Sequence, residues 1–422
     1  GERSITVENV TGVTAEAGDV FTVKAPDGER KGELPPVSSV EYYRETATTP
    51  GVPRTIEFDS PVDDVLDEGD YLANTAYGSE GFTVRNNTVR NNRASLLRLS
   101  GGSGVVEGNT LEGSSNPAVE IESNSSREFE GKGWVDDVTI ENNRIARSGL
   151  NYFAHTYCSA IHVAHDRPGN DTTEGHPHRN LSIVDNEFEN HAHLGLNVSD
   201  ARHVRVESNR FAGLNRLDFD HYFGKSGYAV ALENAAQVDV TGNDVVGDAE
   251  TLYQFGWRRR SEGVDIADNT LTVDGADRSP EFVEPTPVTL AFDETVKPSE
   301  VNSGVEDDRP LAFRCYRLSL LTADGDPIVD ANVGGPERGV EFGRGVYGAG
   351  RSDARWFGGE NAESVLSLLD ADVAEATRLR LTGYPMVDGI SADVSVDGQT
   401  TGSVTFGESG TTAEYTVSID SS

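Results

Sequence analysis

The amino-acid sequence predicts an all-β protein with three β-rich parts: a right-handed parallel β-helix, a small β-rich insertion near its start, and a C-terminal antiparallel β-sandwich. The β-helix is predicted by an asparagine that recurs seven times with the same apolar neighbours, at a base interval of about 22 residues. The insertion is predicted by short β-like runs that break this period. The sandwich is predicted by alternating apolar residues beyond residue 300.

Each repeat has an apolar residue three positions before the asparagine and another two positions after it. The asparagines are Asn87, Asn109, Asn143, Asn186, Asn209, Asn243 and Asn269. Alternating apolar residues predict a strand, and an asparagine in the following turn can bond the backbone and stack on the asparagine of the next coil. A unit of this length predicts a solenoid of parallel strands. Leucine-rich repeats are disfavoured because the L-x-x-L-x-L spacing is absent.

A second strand follows in five of the coils. It begins at Leu97, Val119, Ile161, Leu196 and Val230. The coils that exceed the base interval carry their extra residues next to this strand, for example at 123–134 and 165–178. Because long loops on a rigid scaffold often carry function, we expect them to wall a groove whose floor is this sheet.

The outward side chains of this floor include two carboxylates. Val119 and Ile121 are expected to point into the core, so Glu120 and Glu122 point outward. Aligning the coils places Glu120 in one column with Arg98, His162, Asn197 and Ala231. Two carboxylates in different surroundings can divide the roles of general acid and base. Glu120 and Glu122 are therefore the predicted catalytic pair, with His162 as a third catalytic residue; the alternative is a charge ladder on a solvated face.

Other side chains near the groove are expected to bind substrate. Arg98 and Asn197 would hydrogen-bond a sugar, and further polar and aromatic residues would contact it or simply pack against the sheet. These further candidates are His155, Tyr157, Trp134, Asp166 and Trp257. The pairs His176-x-His178 and His191-x-His193 have chelating spacing, but we interpret them as hydrogen-bonding. No metal and no cofactor is predicted.

The chain is strongly acidic, with 71 Asp and Glu against 35 Lys and Arg, a formal net charge of −36, and only five Lys. This composition is typical of proteins that work in multi-molar salt, and an ordinary acidic extracellular protein is the alternative. A nucleic-acid partner is disfavoured because it requires a basic surface.

No apolar stretch is long enough for a membrane-spanning helix, and several N-x-Ser/Thr sites fit an extracellular or cell-surface location. Two cysteines, Cys158 and Cys315, are too few for a disulfide scaffold.

The predicted boundaries divide the chain into four parts. The β-helix comprises residues 1–10 and 81–278, and the β-rich insertion comprises residues 11–80. A Pro-rich linker follows at 279–299, and the β-sandwich, a candidate carbohydrate-binding module, comprises residues 300–422. One helix-like run, Ala362–Leu369, is expected inside the sandwich.

Three runs of the chain resemble glycoside hydrolase family 110: Val84–Leu97, Phe129–Asn143 and His178–Phe188. The resemblance implies a right-handed parallel β-helix with a small β-barrel insertion. It also implies an exo-acting α-galactosidase that inverts the anomeric carbon without a metal. Ala94-Ser95 stands where that family has Arg-Gly, and the family's catalytic aspartates have no matching positions here. The run Gly345–Trp356 is similar to a segment of β-sandwich modules appended to carbohydrate-active proteins.

Three functions stay open from the sequence. The first is an exported glycoside hydrolase that acts on a glycan or polysaccharide in the groove. The second is a uronate lyase or epimerase, in which Arg98 or the run Arg258–Arg260 would neutralise the carboxylate of the sugar. The third is a non-catalytic surface or adhesin protein that binds a glycan or a partner. Cell-surface association and a homo-oligomer are compatible with all three.

Overall fold

The computed structural model of the chain describes residues 1–7, 15–25, 29–43, 52–124, 133–150, 159–166, 175–216, 227–252, 254–284, 286–301, 309–332, 340–342, 346–347, 354–359, 362–368 and 376–419. It divides into two compact units. One holds the small N-terminal domain and the β-helix as far as Phe282, and the other holds the chain from Val283 onward. The predicted fold class is confirmed: a parallel β-helix is combined with antiparallel sheets at both ends of the sequence.

The small N-terminal domain consists of two three-stranded antiparallel sheets around one core. Its strands are β1 (Ser4–Thr6), β2 (Phe21–Lys24), β3 (Arg30–Glu33), β4 (Val37–Tyr43), β5 (Val52–Phe58) and β6 (Tyr71–Asn74). Phe21, Val23 and Ile56 are buried between the sheets. Because β1 pairs antiparallel with β5, residues 4–6 complete this domain, and their predicted place in the β-helix is wrong. A 3₁₀ turn at Thr75–Tyr77 follows β6.

Each coil of the β-helix contains up to three strands, one in each of three parallel layers. The strands before the Asn turn are β7 (Phe82–Arg85), β10 (Gly102–Glu107), β13 (Val135–Glu141), β16 (His178–Val184) and β23 (Glu262–Ala267), with the second halves of β18 (Leu194–Glu207) and β20 (Tyr228–Thr241). We call this layer the first sheet.

The second sheet follows the Asn turn. It contains β8 (Thr88–Asn92), β11 (Thr110–Ser114), β14 (Arg144–Ala146), β17 (Glu187–Glu189), β19 (Arg210–Ala212), β21 (Asp244–Gly247) and β24 (Thr270–Val273), and ends in the antiparallel β25 (Ala276–Arg278). The third sheet contains β9 (Leu97–Leu99), β12 (Val119–Asn124), β15 (Ser159–Asp166), the first halves of β18 and β20, and β22 (Gln254–Arg259), which also pairs with β26 (Phe282–Val283). The sequence predicted only two strands per coil, because strands of three to five residues are too short to show an alternation.

The recurring asparagines form a continuous ladder along the β-helix. The Nδ2 group of each asparagine donates to Oδ1 of the next one at 2.9–3.2 Å, and the same Oδ1 accepts the preceding asparagine's backbone N–H at 2.9–3.0 Å. The residue before every ladder asparagine has φ between 54° and 65°. Asn, Asp, Ser or Gly occupies these positions, where a left-handed backbone is tolerated best.

The interior of the β-helix is a stack of apolar side chains in register from coil to coil. Val106, Ile140, Ile183 and Val206 are at most 1% exposed and lie in neighbouring strands of the first sheet. In the second sheet, the rings of Phe188 and Phe211 on neighbouring strands stack with their centroids 4.5 Å apart. Full burial of such side chains contributes about 1.5–3 kcal/mol each, so the stack accounts for much of the stability of the helix.

The C-terminal unit contains a five-stranded and a six-stranded antiparallel sheet with one apolar core. The first contains β27 (Thr286–Phe292), β30 (Val340–Phe342), β33 (Glu363–Leu368), β35 (Ser391–Val396) and β36 (Gln399–Thr405). The second contains β28 (Leu311–Leu321), β29 (Pro327–Asn332), β31 (Val346–Tyr347), β32 (Arg355–Gly358), β34 (Arg378–Pro385) and β37 (Ala413–Ser418). One helical turn, α1 (Pro298–Val301), lies between β27 and β28.

Two sequence predictions in this unit are wrong. The predicted linker 279–299 contains β27, which pairs with both β33 and β35. The helix-like run Ala362–Leu369 contains the strand β33, because Ser364 and Leu366 alternate into the core with period two. Cys315 is a buried free thiol whose pKa is raised by desolvation, while Cys158 lies outside the described residues.

Candidate functional site

The predicted column of side chains is present in the third sheet. The strand register pairs Glu120 with Arg98 on one side and with His162 on the other. It continues from His162 to Asn197 and then to Ala231, and the next coil adds Trp257. The register follows from the apolar positions that alternate with these residues, such as Val119, which are buried inside the helix. Glu120 therefore lies about 4.8 Å from the coil on either side of it.

One arginine holds both candidate catalytic carboxylates. Arg98 Nη1 lies 3.3 Å from Glu120 Oε1, and Arg98 Nη2 lies 2.9 Å from Glu122 Oε2. The hydroxyl of Ser95 donates a short hydrogen bond to the other oxygen of Glu120. Sequence reasoning noted Ser95 only as a departure from the family pattern and missed this contact. The group therefore combines two carboxylates, a guanidinium and a hydroxyl on the outer face of one sheet.

These carboxylates are buried although they point away from the helix core. The side chains of Glu120 and Glu122 are 3% exposed, while that of Arg98 is 31% exposed. Charged groups lose hydration when they are buried, and ion pairs and hydrogen bonds must compensate for that loss. The expected open floor is therefore closed over the carboxylates, while Arg98 and Ser95 reach solvent.

The next part of the column is a polar network around His162. Asn197 Nδ2 lies 3.3 Å from His162 Nδ1 and 3.2 Å from Ser199 Oγ. All three residues are less than 9% exposed. The amide can donate to an unprotonated Nδ1, which orients the ring beside Glu120.

At the far end of the column the side chains are apolar. Ala231 and Trp257 are fully buried, and the guanidinium of Arg259 lies over the Trp257 ring at 5.5 Å from its centroid. Arg259 and Arg260 both contact the carboxylate of Glu233. Trp257 therefore belongs to the packed end of the column.

The small N-terminal domain contributes a side chain at the end of β15 in the third sheet. Lys24 Nζ lies 2.5 Å from His165 Nε2, and its ammonium lies over the rings of Tyr71 and Trp134 at 5.0 and 5.9 Å. Lys24 is 3% exposed and Trp134 is 7% exposed. Trp134 thus packs against the small domain. No sequence signal indicated this contact, which joins residues 141 positions apart.

Arg30 ties the same domain to the first sheet. Its guanidinium bonds Asp136 Oδ2 at 2.7 Å, the Pro177 carbonyl at 2.8 Å and the Val135 carbonyl at 3.0 Å. It also lies over the Trp134 ring at 5.3 Å. Burial lowers the pKa of Arg30 to about 10, with Asp136 opposing the shift, so the group stays charged at neutral pH. Together with Lys24, Arg30 fixes the small domain on the β-helix.

One histidine of each predicted pair is hydrogen-bonded to the backbone of the β-helix. Nδ1 of His178 accepts the N–H of Val135 at 3.3 Å, and its Nε2 donates to the Ala164 carbonyl at 2.9 Å. His191 makes the corresponding bonds to Ser148 and to the Ile145 carbonyl. Desolvation lowers the pKa of both rings to about 3, which keeps them neutral. Within the described ranges, no group of three or more His, Cys, Asp or Glu side chains could hold a metal ion.

Several predicted site features lie beyond what the structure describes. His155 and Tyr157 fall outside the described residues, as do most of the two predicted loops. Asp166 is placed as the last residue of β15, opposite Asn124. The roles proposed for these residues stay predictions.

A separate groove of about 540 Å³ opens on the first sheet rather than over the column. Its lining includes Arg205, Asp239 and Asp265, which lie side by side on three successive coils. Another part of the lining is a row of residues with positive φ: Asp137, Asn180, His203, Gln237 and Gly263. The backbone bends sharply at these positions, so the groove follows a corner of the coils.

A protein-family model agrees with the fold of the β-helix. The family model described as a right handed beta helix region matches residues 75–271. Among solved structures, the chain is similar to full-length tailspike protein 2 from the Escherichia coli bacteriophage CAB120. The identity is 10% and the TM-score 0.27, over 81% of this chain and 53% of that one. The chain therefore spans about half the length of the tailspike. A search of curated proteins finds no match.

The chain thus contains a right-handed parallel β-helix. Among the described residues, no helix combines the length and the apolar character that a membrane crossing requires.

Proposed function

We propose that the protein is an exported glycan-active enzyme, a glycoside hydrolase whose site is the column of the third sheet. The observation that carries the proposal is the pair Glu120 and Glu122, two buried carboxylates on the outer face of one strand that share Arg98. A purely structural sheet face gains little from such a pair, since burying charge costs more than an apolar replacement. Most glycoside hydrolases use two carboxyl groups that flank the glycosidic bond.

Inversion of the anomeric carbon is the outcome that the family resemblance suggests, and it needs room for a water between the two carboxyl groups. Glu120 and Glu122 are about 6.6 Å apart at Cα, and Arg98 binds both carboxylates through its two terminal nitrogens. Glu122, which makes the closer ion pair with Arg98, is assigned as the base. Glu120, which faces His162, is assigned as the acid.

In the proposed reaction each group handles one proton. Glu120 protonates the glycosidic oxygen as the bond from this oxygen to the anomeric carbon breaks. Glu122 removes a proton from the water that attacks this carbon from the opposite face. Arg98, Asn197 and His162 would hold sugar hydroxyl groups. An α-galactoside is the substrate that the family resemblance suggests.

The test is product analysis by mass spectrometry. The protein is incubated in 2 M KCl with α-galactosides, neutral polysaccharides and uronate polysaccharides. We expect a released monosaccharide, and we expect E120Q and E122Q to lower turnover at least 1,000-fold while the circular dichroism spectrum is unchanged. The matched control is E107Q, which removes an ion-paired carboxylate on another face of the helix and should retain turnover. Turnover by E120Q and E122Q equal to that of the wild type would contradict the assignment.

A non-catalytic binding protein is the second candidate. It is favoured by the low exposure of the column, 2–5% from Glu120 to Asn197, because a substrate must reach both carboxylates. Saturable glycan binding without product would support it. A lyase would instead release an unsaturated product. Of its candidate arginines, Arg98 contacts the carboxylates, whereas Arg259 and Arg260 contact Glu233.

A further inference from the structure

The six-stranded sheet of the C-terminal unit carries a row of large side chains on its outer face. Trp356 of β32 lies opposite Arg314 of β28, which in turn lies opposite Tyr384 of β34. Their chain neighbours Phe313 and Phe357 are fully buried in the core of the unit. Because side chains alternate between the two faces of a strand, the row faces away from that core. Its members are only partly buried.

The arginine is surrounded by aromatic rings. Its guanidinium carbon lies 5.4 Å from the ring centroids of Tyr316 and Trp356 and 5.8 Å from that of Tyr384. Arg314 Nη1 donates to the Tyr384 hydroxyl at 3.0 Å. The rings of Trp356 and Tyr384 meet edge to face at 5.8 Å. These contacts fix the orientation of the rings before any ligand binds.

This arrangement differs from the rest of the same face. The other outward residues of β34 are Arg378, Arg380 and Thr382, as expected for a sheet face in contact with water. Three aromatic rings around one guanidinium on such a face expose apolar ring surface beside hydrogen-bond donors. A pyranose ring presents the complementary surface, since it is apolar on its C–H face and polar at its hydroxyl-bearing edge.

We propose that Trp356, Tyr316, Tyr384 and Arg314 form a second glycan-binding site, separate from the column of the β-helix. The aromatic rings stack on the apolar face of a sugar ring, and Arg314 and the Tyr384 hydroxyl bind its hydroxyl groups or carboxylate. The site holds a polysaccharide without acting on it. This proposal does not depend on the β-helix being an enzyme.

Intrinsic fluorescence gives a direct test, because the chain has three tryptophans and Trp134 and Trp257 are at most 7% exposed. The full chain is titrated in 2 M KCl with a galactomannan, a mixed-linkage β-glucan or polygalacturonate. We expect at least one of them to shift the emission and to protect tryptophan from acrylamide quenching. The neutral polymers and the uronate polymer distinguish recognition of hydroxyl groups from recognition of a carboxylate. No binding of any of the three polymers, measured also by titration calorimetry, would overturn the proposal.

Variants locate the binding. We expect W356A and Y384A to weaken binding at least tenfold by calorimetry, and W356F, which keeps a ring, to stay within about threefold of the wild type. The matched control is R380A, on the same strand and face as Tyr384 but outside the row, and it should bind normally. Circular dichroism confirms folding. Binding that is unchanged in W356A and Y384A, or that is lost in E120Q instead, would overturn the proposal.

Discussion

At the scale of the residue, the ladder asparagines each make several hydrogen bonds that no other side chain can supply together. Asn186 donates to the carbonyl groups of Ile140 and Val184 and to Asn209 Oδ1, and its own Oδ1 accepts two bonds from Asn143. The amide is needed because it is donor and acceptor at once. A carboxylate lacks the donors, and an apolar residue leaves buried backbone groups without partners.

Replacing an inner asparagine should therefore destabilise the protein strongly. We expect N186A to lower the free energy of unfolding by about 2–4 kcal/mol, because buried acceptors and donors lose their partners. N87A, at the exposed first turn, should cost less than about 1 kcal/mol. Denaturant unfolding followed by circular dichroism measures both. Equal losses in the two variants would show that the ladder does not contribute in this way.

The buried histidines predict a loss of stability in acid. His178 and His191 have a pKa of about 3 in the folded chain, because burial disfavours their charged form, and an ordinary value near 6.5 when unfolded. Between these values the unfolded chain binds more protons. Their stabilisation is therefore complete above pH 6.5 and falls as the pH drops towards 3, by about 1.4 kcal/mol per pH unit for each ring.

The measurement is denaturant unfolding at several pH values from 6.5 to 4.5. H191Q removes one of these rings. It should reduce the slope of the free energy of unfolding against pH by about 1.4 kcal/mol per pH unit. H203Q, which replaces an exposed histidine, should leave the slope unchanged. A slope in H191Q as steep as that of the wild type would mean that His191 titrates normally in the folded chain.

At the scale of the element, the third sheet shows what can be inferred from a repeat. Once the register of the coils is set, counting residues places Arg98, Glu120 and His162 side by side. In the structure, these three residues are register partners on neighbouring strands. Counting does not reveal what covers a face. The contact of Lys24 with His165 comes from a segment 141 residues away in the sequence, and no local pattern encodes such a contact.

Among the described residues, Lys24, Glu29 and Arg30 connect the small N-terminal domain to the β-helix, which makes the docking testable. Arg30 alone makes three hydrogen bonds to residues of the β-helix. We expect R30A to increase hydrogen exchange in strands β2 and β3 at least tenfold, while strands β18 and β20 keep their protection. The control R3A removes a single exposed contact to Asp59 inside the small domain and should leave that exchange unchanged. Equal hydrogen-exchange rates of β2 and β3 in R30A and in the wild type would show that other contacts hold the domain.

At the scale of the whole molecule, the net charge of −36 is the dominant long-range property. Like charges repel in the compact state, and salt shortens the range of that repulsion from about 10 Å at 0.1 M to about 3 Å at 1 M. The ion pairs of the surface, such as Arg85 with Glu107, are too weak to offset it.

We therefore expect the melting temperature to rise by at least 10 °C between 0.1 and 1 M KCl. Differential scanning calorimetry measures it, and sucrose, which does not screen charge, is the control for general solvent effects. A melting temperature that is constant over this range would contradict a halophilic origin of the composition.

The Asn ladder has one more consequence. Its successive members lie 22, 34, 43, 23, 34 and 26 residues apart, yet the backbone-to-amide bonds between them stay at 2.9–3.0 Å. Turn geometry is thus independent of coil length. Insertions and deletions can accumulate beside the third sheet without disturbing the register that aligns Arg98, Glu120 and His162. Over evolutionary time, such a scaffold can exchange the loops around its site while the site residues keep their places.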